Sequence, residues 1–342
     1  MRRSLTSPPS ASRARLRVFS AVVFAYSEVG FRCLNALLDG GVHVRQVFTH
    51  EDAPGERPWF GSVARLAAER GVEVCTASPH AEASLQRVAA LAPEYLLSFY
   101  YRALLEERLL ACARWAALNM HGSLLPKFRG RAPINWAIVK GETQTGATLH
   151  YMVRKPDAGP IVAQERVAIG IDDTAHAVSL AVAAAAARML ARSLPRLAAG
   201  PPPGRAMDLS HGSYFGGRTP EDGRIDWTQP AAAVHNLIRA VAPPFPGAFT
   251  DLAGRRWLFA GSHWTGEAAR HPGSAPCLYL EERRLLLDCR DGLRLAIPGV
   301  VLDGRELDAE SFGRLFAPAL VALDPLHPQG AIPHEEAAHP RC

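Results

Sequence analysis

The apolar residues of this chain fall into short continuous runs that alternate with stretches of helical spacing. Residues 17–25 (RVFSAVVFA) form a run with few polar positions, which is typical of a central strand buried on both faces. Residues 28–38 then have the spacing of an amphipathic helix, which the sequence Asp-Gly-Gly would end. The same alternation predicts strands at 42–49, 72–76, 94–99 and 116–120, and helices at 62–70, 80–92 and 103–111.

Regular alternation of strands and helices defines the fold class of the first part of the chain. It predicts an α/β fold, with a doubly wound, mostly parallel sheet, over residues 18–200, which end in a long Ala-rich helix. A Pro- and Gly-rich stretch (AAGPPPG) follows this helix. Beyond it, short apolar stretches at 257–261, 277–280 and 285–289 alternate with turn-forming residues. They predict a smaller, mainly β (OB-like) domain over residues 207–323.

The formal net charge of +5 resides in the first 17 residues of the chain. That segment is rich in Arg and Ser and has no acidic residue, whereas the remainder carries equal numbers of acidic and basic residues. We expect a disordered leader at 1–17 and a loose, Pro- and His-rich tail at 324–342. Because the chain beyond residue 17 has no net positive charge, we expect no nucleic-acid partner.

Composition also limits the cellular setting and the cofactors. The six cysteines are scattered and include no C-x-x-C pair, which favours reduced thiols in the cytoplasm over disulfides or a zinc site. The Ala-rich stretch carries His176, Arg188, Arg192 and Arg196, so we expect a soluble helix and no membrane insertion. The first strand-to-helix turn (AYSEVG) lacks G-x-G-x-x-G, and no phosphate-binding loop motif occurs, which disfavours nicotinamide and ATP chemistry.

One stretch, LNMHGSLLPKFRGRAPINW at 118–136, carries candidate chemistry. Asn119 and His121 are two residues apart at the end of a predicted strand, so their side chains share one face at the carboxyl edge of the sheet. An imidazole transfers protons near neutral pH, and an amide N–H stabilises an oxyanion. Asp157, in the turn-like segment RKPDAGPIV, is a candidate to orient the imidazole.

Purely structural interpretations of these residues stay open at this point. A single His at a strand end is commonly a hydrogen-bonded structural residue, and an Asp before Ala-Gly commonly forms a turn. Ser123 lies in H-G-S-L-L and not in a G-x-S-x-G nucleophile elbow. The basic run of Lys127, Arg129 and Arg131 is equally typical of a solvated loop.

The motif as a whole resembles a known signature. N-x-H-x-S-L-L-P-x-x-R-G, followed by D-A-G, is similar to the motif of the formyltransferases that use 10-formyltetrahydrofolate. The resemblance implies a Rossmann-like catalytic domain in which His121 is the acid/base and Asn119 stabilises the oxyanion. It further implies that Asp157 holds His121 and favours its protonated form.

The resemblance also implies a folate co-substrate, 10-formyltetrahydrofolate, and no metal. Pro156 departs from the pattern expected at its position and should stiffen the loop before Asp157. The residues implied to lie along the folate are Ala103, Leu104, Leu105, Arg131, Val153, Arg154, Lys155 and Pro156.

Further stretches resemble one branch of this family, the enzymes that formylate UDP-4-amino-4-deoxy-L-arabinose for lipid A modification and polymyxin resistance. These stretches are FTHEDAPGE, GSVARLAAERG, LSFYYR, GETQTGATLHYMV and GRTPEDGRIDW. The resemblance implies a UDP-amino-sugar as the substrate partner, and it leaves the oligomeric state open.

Three alternatives stay open beside this acceptor. Methionyl-tRNA formyltransferase shares the motif, but it typically inserts a basic loop where this chain has only HEDAPGERPWFG, and a tRNA enzyme normally has a basic surface. Another sugar-nucleotide N-formyltransferase is the second alternative. A non-catalytic folate- or nucleotide-binding protein is the third, and the intact Asn119, His121 and Asp157 set disfavours it.

Overall fold

The computed structural model describes residues 18–51, 58–272, 276–316 and 320–323. The predicted leader at 1–17 and tail at 324–342 lie outside the described residues.

The first part of the chain forms one seven-stranded sheet with helices on its faces. Its elements are β1 Ser20–Ala25, α1 Ser27–Asp39, β2 His43–Phe48, α2 Val63–Glu69, β3 Val74–Cys75, α3 Glu82–Leu91, β4 Tyr95–Phe99, α4 Glu107–Leu110, β5 Ala116–His121, β6 Arg129–Gly130, α5 Pro133–Val139, β7 Gln144–Tyr151, β8 Ile161–Ala168 and α6 Ala175–Ala198.

The strand order is β3-β2-β1-β4-β5-β7-β8. The first five strands of this order are parallel, and β7 and β8 join as an antiparallel pair at one edge. The prediction of a doubly wound, mostly parallel α/β sheet is therefore confirmed. The side chains of β1 and β4 are buried on both faces, which is the burial that their continuous apolar runs predicted.

The predicted helix at 103–111 was wrong in extent, because only the turn Glu107–Leu110 is helical. Leu109 and Leu105 pack on the core beneath this segment, but the side chain of Leu104 is 70% exposed. A short helix is only marginally stable unless it buries an apolar face. The segment 103–106 has no continuous apolar face. These residues therefore run as a loop beyond the carboxyl end of β4.

The second part of the chain is mainly antiparallel β structure, as predicted. Two sheets, ordered β10-β11-β16-β17 and β12-β15-β14-β13-β18, enclose a core that includes Trp257, Phe259 and Phe312. Its elements are β9 Tyr214–Phe215, α7 Ala231–Val241, β10 Ala248–Leu252, β11 Arg255–Phe259, β12 His263–Ala268, β13 Cys277–Glu281, β14 Arg284–Asp288, β15 Leu293–Ile297, β16 Gly299–Leu302, β17 Arg305–Asp308, α8 Ala309–Phe316 and β18 Val321–Ala322, with 3-10 turns at Leu209–His211 and Pro220–Gly223.

Helix α7 joins the two parts through hydrogen bonds to the first. Asn135 donates to the carbonyl of Ala240 at 2.6 Å. The buried guanidinium of Arg239 donates to the carbonyls of Gly170 and Asp173 at 3.1 and 2.9 Å. The short strand β9 also pairs with β6, which carries part of the motif. The second part is thus fixed against the carboxyl edge of the large sheet.

Helix α6 is long and apolar enough, by length and composition alone, to cross a membrane. Its apolar face packs instead on α1 and on β7 and β8. Val182, Ala186 and Leu190 on this face are fully buried in the main core. We interpret α6 as a core helix of the α/β domain.

Candidate active site

Strand β5 carries Asn119 and His121 to the carboxyl edge of the sheet, with β4 on one side and β7 on the other. Both side chains lie on the same face because side chains alternate along a strand. In the antiparallel register with β7, Asn119 is directly opposite His150. The amide Nδ2 of Asn119 is 3.2 Å from Nε2 of that histidine.

Asp157 reaches the same point from the loop between β7 and β8. Its backbone is left-handed, with φ of 51°, so the chain turns sharply there. Its Oδ2 accepts a 3.0 Å hydrogen bond from the N–H of Gly130. Its Oδ1 lies 3.6 Å from Nδ1 of His121 and 3.5 Å from Nε2 of His150. The structure therefore brings the three predicted catalytic residues together, with a histidine that was not predicted.

The loop around Asp157 depends on a glycine two residues later. A Cβ atom at Gly159 would lie 2.1 Å from the carbonyl oxygen of Tyr151, which no side chain tolerates. The Asp-Ala-Gly motif therefore has a steric basis as well as a chemical one. Glycine lets the loop close tightly on the end of β7, and this closure holds the carboxylate over β5.

Backbone carbonyls fix the protons on both imidazoles. Nε2 of His121 donates to the carbonyl of Phe128 at 2.8 Å, so Nδ1, facing Asp157, is the nitrogen that titrates. Nδ1 of His150 donates to the carbonyl of Tyr151 at 2.9 Å, so its Nε2 accepts from the Asn119 amide. This contact fixes the orientation of the amide. Its second N–H makes no other hydrogen bond within the described residues and is free to donate to a ligand.

Burial and charge act against each other on His121 and Asp157. Burial lowers the pKa of His121, and this effect outweighs the nearby carboxylate of Asp157, which raises it. Burial alone would raise the pKa of Asp157, but the two imidazoles and the Gly130 N–H together lower it to about 2. At neutral pH the site therefore holds a carboxylate beside a neutral imidazole that is ready to accept a proton. Asp157 does favour protonation of His121, as predicted, but the net shift has the opposite sign.

The Ser-Leu-Leu-Pro segment is a rigid support for these groups. Ser123 is fully buried, and its hydroxyl donates to the carbonyl of Lys127 at 2.6 Å. Thr148 on β7 donates to the carbonyl of Ser123 at 2.6 Å and accepts from the N–H of Leu125 at 3.2 Å. Ser123 is therefore no accessible nucleophile. The segment sets where the Phe128 carbonyl and the Gly130 N–H meet the catalytic side chains.

The residues of the basic run have separate environments. Lys127 is exposed and forms an ion pair with Glu142 at 2.8 Å. Arg129 is buried, 5.9 Å from the ring of Tyr214. Arg131 is exposed and lies against Gly217 of the second part of the chain.

Most residues predicted to line the folate lie along two neighbouring segments. Leu105 and Met152, one from each segment, both pack against the same apolar cluster beneath the sheet edge. Leu104 and Val153 are 70% and 42% exposed, which is unusual for large apolar side chains in this molecule. Exposed apolar side chains beside a polar catalytic centre are typical of a ligand-binding lip. Ala103 and Pro156 are half-buried in the same segments, and Arg154 and Lys155 are exposed.

Some site residues could not be identified from the motif alone. His150 orients Asn119 and contacts Asp157, yet in the sequence it is only one residue of HYMV. What identifies His150 is its position directly opposite Asn119. That position can be recognised only when β7 is known to pair with β5. Among the described residues, no group of three or more His, Cys, Asp or Glu side chains is arranged to hold a metal ion.

We predict that Gly122→Ala destabilises the protein by about 1–3 kcal/mol, because overpacking forces neighbouring groups to move. A Cβ atom at this position would lie 1.6 Å from the hydroxyl of Tyr100. Urea unfolding followed by tryptophan fluorescence measures the change. Tyr100→Phe removes the closest atom, leaving the ring carbon at 2.8 Å, and should restore part of the loss in the double variant. Wild-type stability of Gly122→Ala would contradict this packing.

Comparison with known proteins identifies the family on both parts of the chain. The profile described as formyl transferase matches residues 20–194. The profile described as formyl transferase, C-terminal domain, matches residues 218–316. The first match includes Asn119, His121 and Asp157, and the second covers most of the antiparallel sheets.

Solved structures share this fold at low identity. An N-formyltransferase from Helicobacter canadensis superposes with a TM-score of 0.66 at 18% identity, covering 82% of this chain and 98% of that one. WlaRD, a sugar 3N-formyl transferase, superposes with a TM-score of 0.63 at 16% identity, covering 82% and 97%. A variant of HypX from Aquifex aeolicus gives 0.59 at 17% identity, covering 87% of this chain but only 47% of that one. The profile matches, the two-part fold and the assembled site together show that this chain belongs to the formyl transferase family.

Proposed function

We propose that this enzyme transfers the formyl group of 10-formyltetrahydrofolate to the amine of a sugar nucleotide, and that the acceptor is UDP-4-amino-4-deoxy-L-arabinose. The observation that carries the proposal of catalysis is the convergence of Asn119 and His121 on the buried carboxylate of Asp157. The convergence supplies a proton acceptor and a free amide N–H on one face of a strand. It also disfavours the non-catalytic alternative, since simple binding does not require this pairing.

Each of these groups has a role in acyl transfer. As the amine nitrogen bonds to the formyl carbon, Nδ1 of His121 accepts the proton that the nitrogen loses. Asp157, 3.6 Å away, stabilises the imidazolium that forms. Asn119 donates its free N–H to the carbonyl oxygen as negative charge develops on it. His121 then returns the proton to the nitrogen of the donor as the carbon–nitrogen bond to the donor breaks, giving tetrahydrofolate and a formamide.

The exposed apolar side chains at the edge of the site support a folate donor. Leu104 and Val153 present apolar surface beside the catalytic groups, which suits the face of a pterin ring. The Helicobacter canadensis enzyme was solved with folinic acid, and WlaRD was solved with 5-N-formyl-tetrahydrofolate. The two names denote the same compound, a reduced folate that carries a formyl group. We therefore assign the segments 103–105 and 153–156 to the folate.

The acceptor assignment is supported by structural likeness and by sequence. The Helicobacter canadensis complex also contains dTDP-3-aminofucose, a nucleotide-linked amino sugar. Within the sugar-nucleotide class, the stretches GSVARLAAERG and GETQTGATLHYMV favour the aminoarabinose branch. A chain without net charge beyond its first 17 residues is a poor match to a polyanionic tRNA.

We predict that the purified protein converts 10-formyltetrahydrofolate and UDP-4-amino-4-deoxy-L-arabinose to tetrahydrofolate and the 4-formamido sugar nucleotide in equal amounts. Mass spectrometry of the sugar product and absorbance of the folate product measure the two yields. The control reaction supplies methionyl-tRNA as the acceptor. Formylation of the tRNA without formylation of the sugar nucleotide would contradict the proposal. Turnover only with a different amino sugar would retain the reaction and replace the acceptor.

We predict that Asp157→Asn lowers the rate by about 100-fold or more, since the imidazolium loses its counter-charge. The acid limb of kcat/KM should also move to lower pH. Burial lowers the pKa of His121 and Asp157 raises it, so that removal of the carboxylate lowers this pKa further. The wild-type enzyme and the variant use the same substrate amine, so titration of this amine affects both pH profiles equally and does not alter their difference. A limb that stays in place or moves to higher pH would refute this coupling.

We predict that His150→Ala lowers kcat by about 10- to 100-fold, the usual range for a residue that orients a catalytic group. The cause is loss of the acceptor that orients the Asn119 amide. Because His150→Gln keeps an acceptor at this position, it should recover part of the loss. The exposed His43 on β2 provides the control, and His43→Ala should leave kcat unchanged. An unaltered kcat in His150→Ala would remove His150 from the catalytic arrangement.

A further inference from the structure

We infer that His50 is a positioning residue for the folate, and that it acts by holding the loop between β4 and α4 (residues 100–106) through a backbone hydrogen bond. This inference rests on the proposed function, which assigns residues 103–105 of that loop to the folate. Leu104 belongs to the loop, and its side chain is 70% exposed. His50 follows β2 and belongs to the stretch FTHEDAPGE, to which the catalytic groups and the folate segments give no role.

The backbone of this loop is held by side-chain contacts more than by backbone hydrogen bonds. Tyr100 has a left-handed φ of 56°, so the chain turns sharply where β4 ends. Among the residues that the structure describes, 101–105 form no backbone-to-backbone hydrogen bond. The N–H of Arg102 donates instead to Nε2 of His50 at 3.1 Å. Because a loop without regular hydrogen bonds opens easily, this contact has a large influence on its conformation.

The imidazole of His50 is itself held by aromatic contacts. The ring of Tyr101 stacks on it, with 4.1 Å between the ring centres and 22° between the planes. The ring of Tyr26 meets it edge-on at 5.4 Å, and the Arg102 guanidinium lies 4.3 Å from the centre of this second ring. Aromatic and cation–π contacts favour fixed ring orientations. His50 is therefore fixed in place where β1, β2 and β4 end, with Nε2 directed at the loop.

The contact requires an uncharged His50. A neutral imidazole has one nitrogen that carries a proton and one that accepts, so acceptance at Nε2 places the proton on Nδ1. Burial lowers the pKa of His50, and the positive charge of Arg102 lowers it further. The hydroxyl of the stacked Tyr101 is uncharged as well, because burial raises its pKa to about 12. At neutral pH His50 is therefore the acceptor that the loop requires.

Displacement of Arg102 would affect the folate more than the chemistry. Leu104 is two residues beyond Arg102, so a shift of this backbone moves the side chain assigned to the folate. The catalytic groups Asn119, His121 and Asp157 lie instead on β5 and on the loop between β7 and β8. At saturation, a bound folate would also hold the loop by its own contacts. Loss of the His50 acceptor should therefore weaken folate binding and leave the chemical step unchanged.

The test separates the acceptor of His50 from its ring. His50→Phe keeps a ring for Tyr101 to stack on and removes the acceptor, whereas His50→Gln removes the ring and keeps an acceptor oxygen near the position of Nε2. Calorimetric titration with 5-formyltetrahydrofolate measures affinity without requiring turnover. His50→Phe should weaken folate binding by about three- to tenfold, the loss expected for one neutral hydrogen bond. It should raise KM for 10-formyltetrahydrofolate to the same extent and leave kcat and KM for the sugar nucleotide unchanged. His50→Gln should retain most of the wild-type affinity.

Hydrogen exchange of the backbone amides measures the loop directly and requires no folate. Peptides that cover residues 100–106 should exchange faster in His50→Phe than in the wild-type protein, and exchange in His50→Gln should be close to wild type. His43 lies at the other end of β2 and is exposed. His43→Phe is therefore the control, and it should alter neither the exchange nor the folate affinity.

The possible results separate this inference from the proposed function. Unchanged folate affinity in His50→Phe would overturn the inference, whether or not the loop exchanges faster, and would leave the proposed reaction intact. Equal losses of affinity in His50→Phe and His50→Gln would assign the effect to packing of the ring and would also overturn it. A wild-type protein that binds no folate would reject the donor and the inference together. Folate affinity that depends on the His50 acceptor, in a protein that fails to formylate UDP-4-amino-4-deoxy-L-arabinose, would support the inference and reject the proposed acceptor.

Discussion

The carboxylate of Asp157 is a buried negative charge, and the arrangement of the site follows from the need to stabilise it. An unpaired buried carboxylate would take up a proton, yet several groups keep the pKa of this one at about 2. The Gly130 N–H donates to one oxygen, and the imidazoles of His121 and His150 lie beside the other, where an imidazole stabilises the charge once it has accepted a proton. These groups come from separate strands, so the carboxylate can be stabilised only when β5, β6 and β7 are all in place.

The edge of the sheet is built to satisfy this constraint. Strand β7 runs antiparallel to β5, so its last residue, Tyr151, lies opposite Leu118 near the start of β5, and the N–H of Met152 donates to the carbonyl of Ala117. The loop between β7 and β8 then folds back along β5. That reversal brings Asp157 over Asn119 and His121. It also places His150 opposite Asn119, where its lone pair fixes the orientation of the amide. Strand β9 then pairs with β6, so that the second part of the chain is joined to the segment that carries Gly130.

Features that depend on local sequence could be predicted, and features that depend on tertiary contacts could not. The buried strands β1 and β4 and the shared face of Asn119 and His121 follow from periodicity alone. The role of His150 can be read only from the pairing register, and the lowered pKa of His121 follows from its burial, which only the folded structure shows. Strand β12 has no continuous apolar run and contains Gly266 with φ of 70°, so it gave no recognisable pattern. The pairing of Arg129 with Tyr214 joins segments that are far apart in the chain, which no local pattern reveals.

The charge arrangement of the site can be measured as the protonation state of His121 in the free enzyme. Nitrogen-15 NMR of the histidine side chains, assigned with His121→Gln, reports both the charge of each ring and the nitrogen that carries the proton. We expect a neutral ring at pH 7 with its proton on Nε2, which gains a second proton at Nδ1 only below the ordinary histidine pKa. A His121 ring that is already cationic at pH 7, or that carries its single proton on Nδ1, would show that His121 is not the neutral proton acceptor described above.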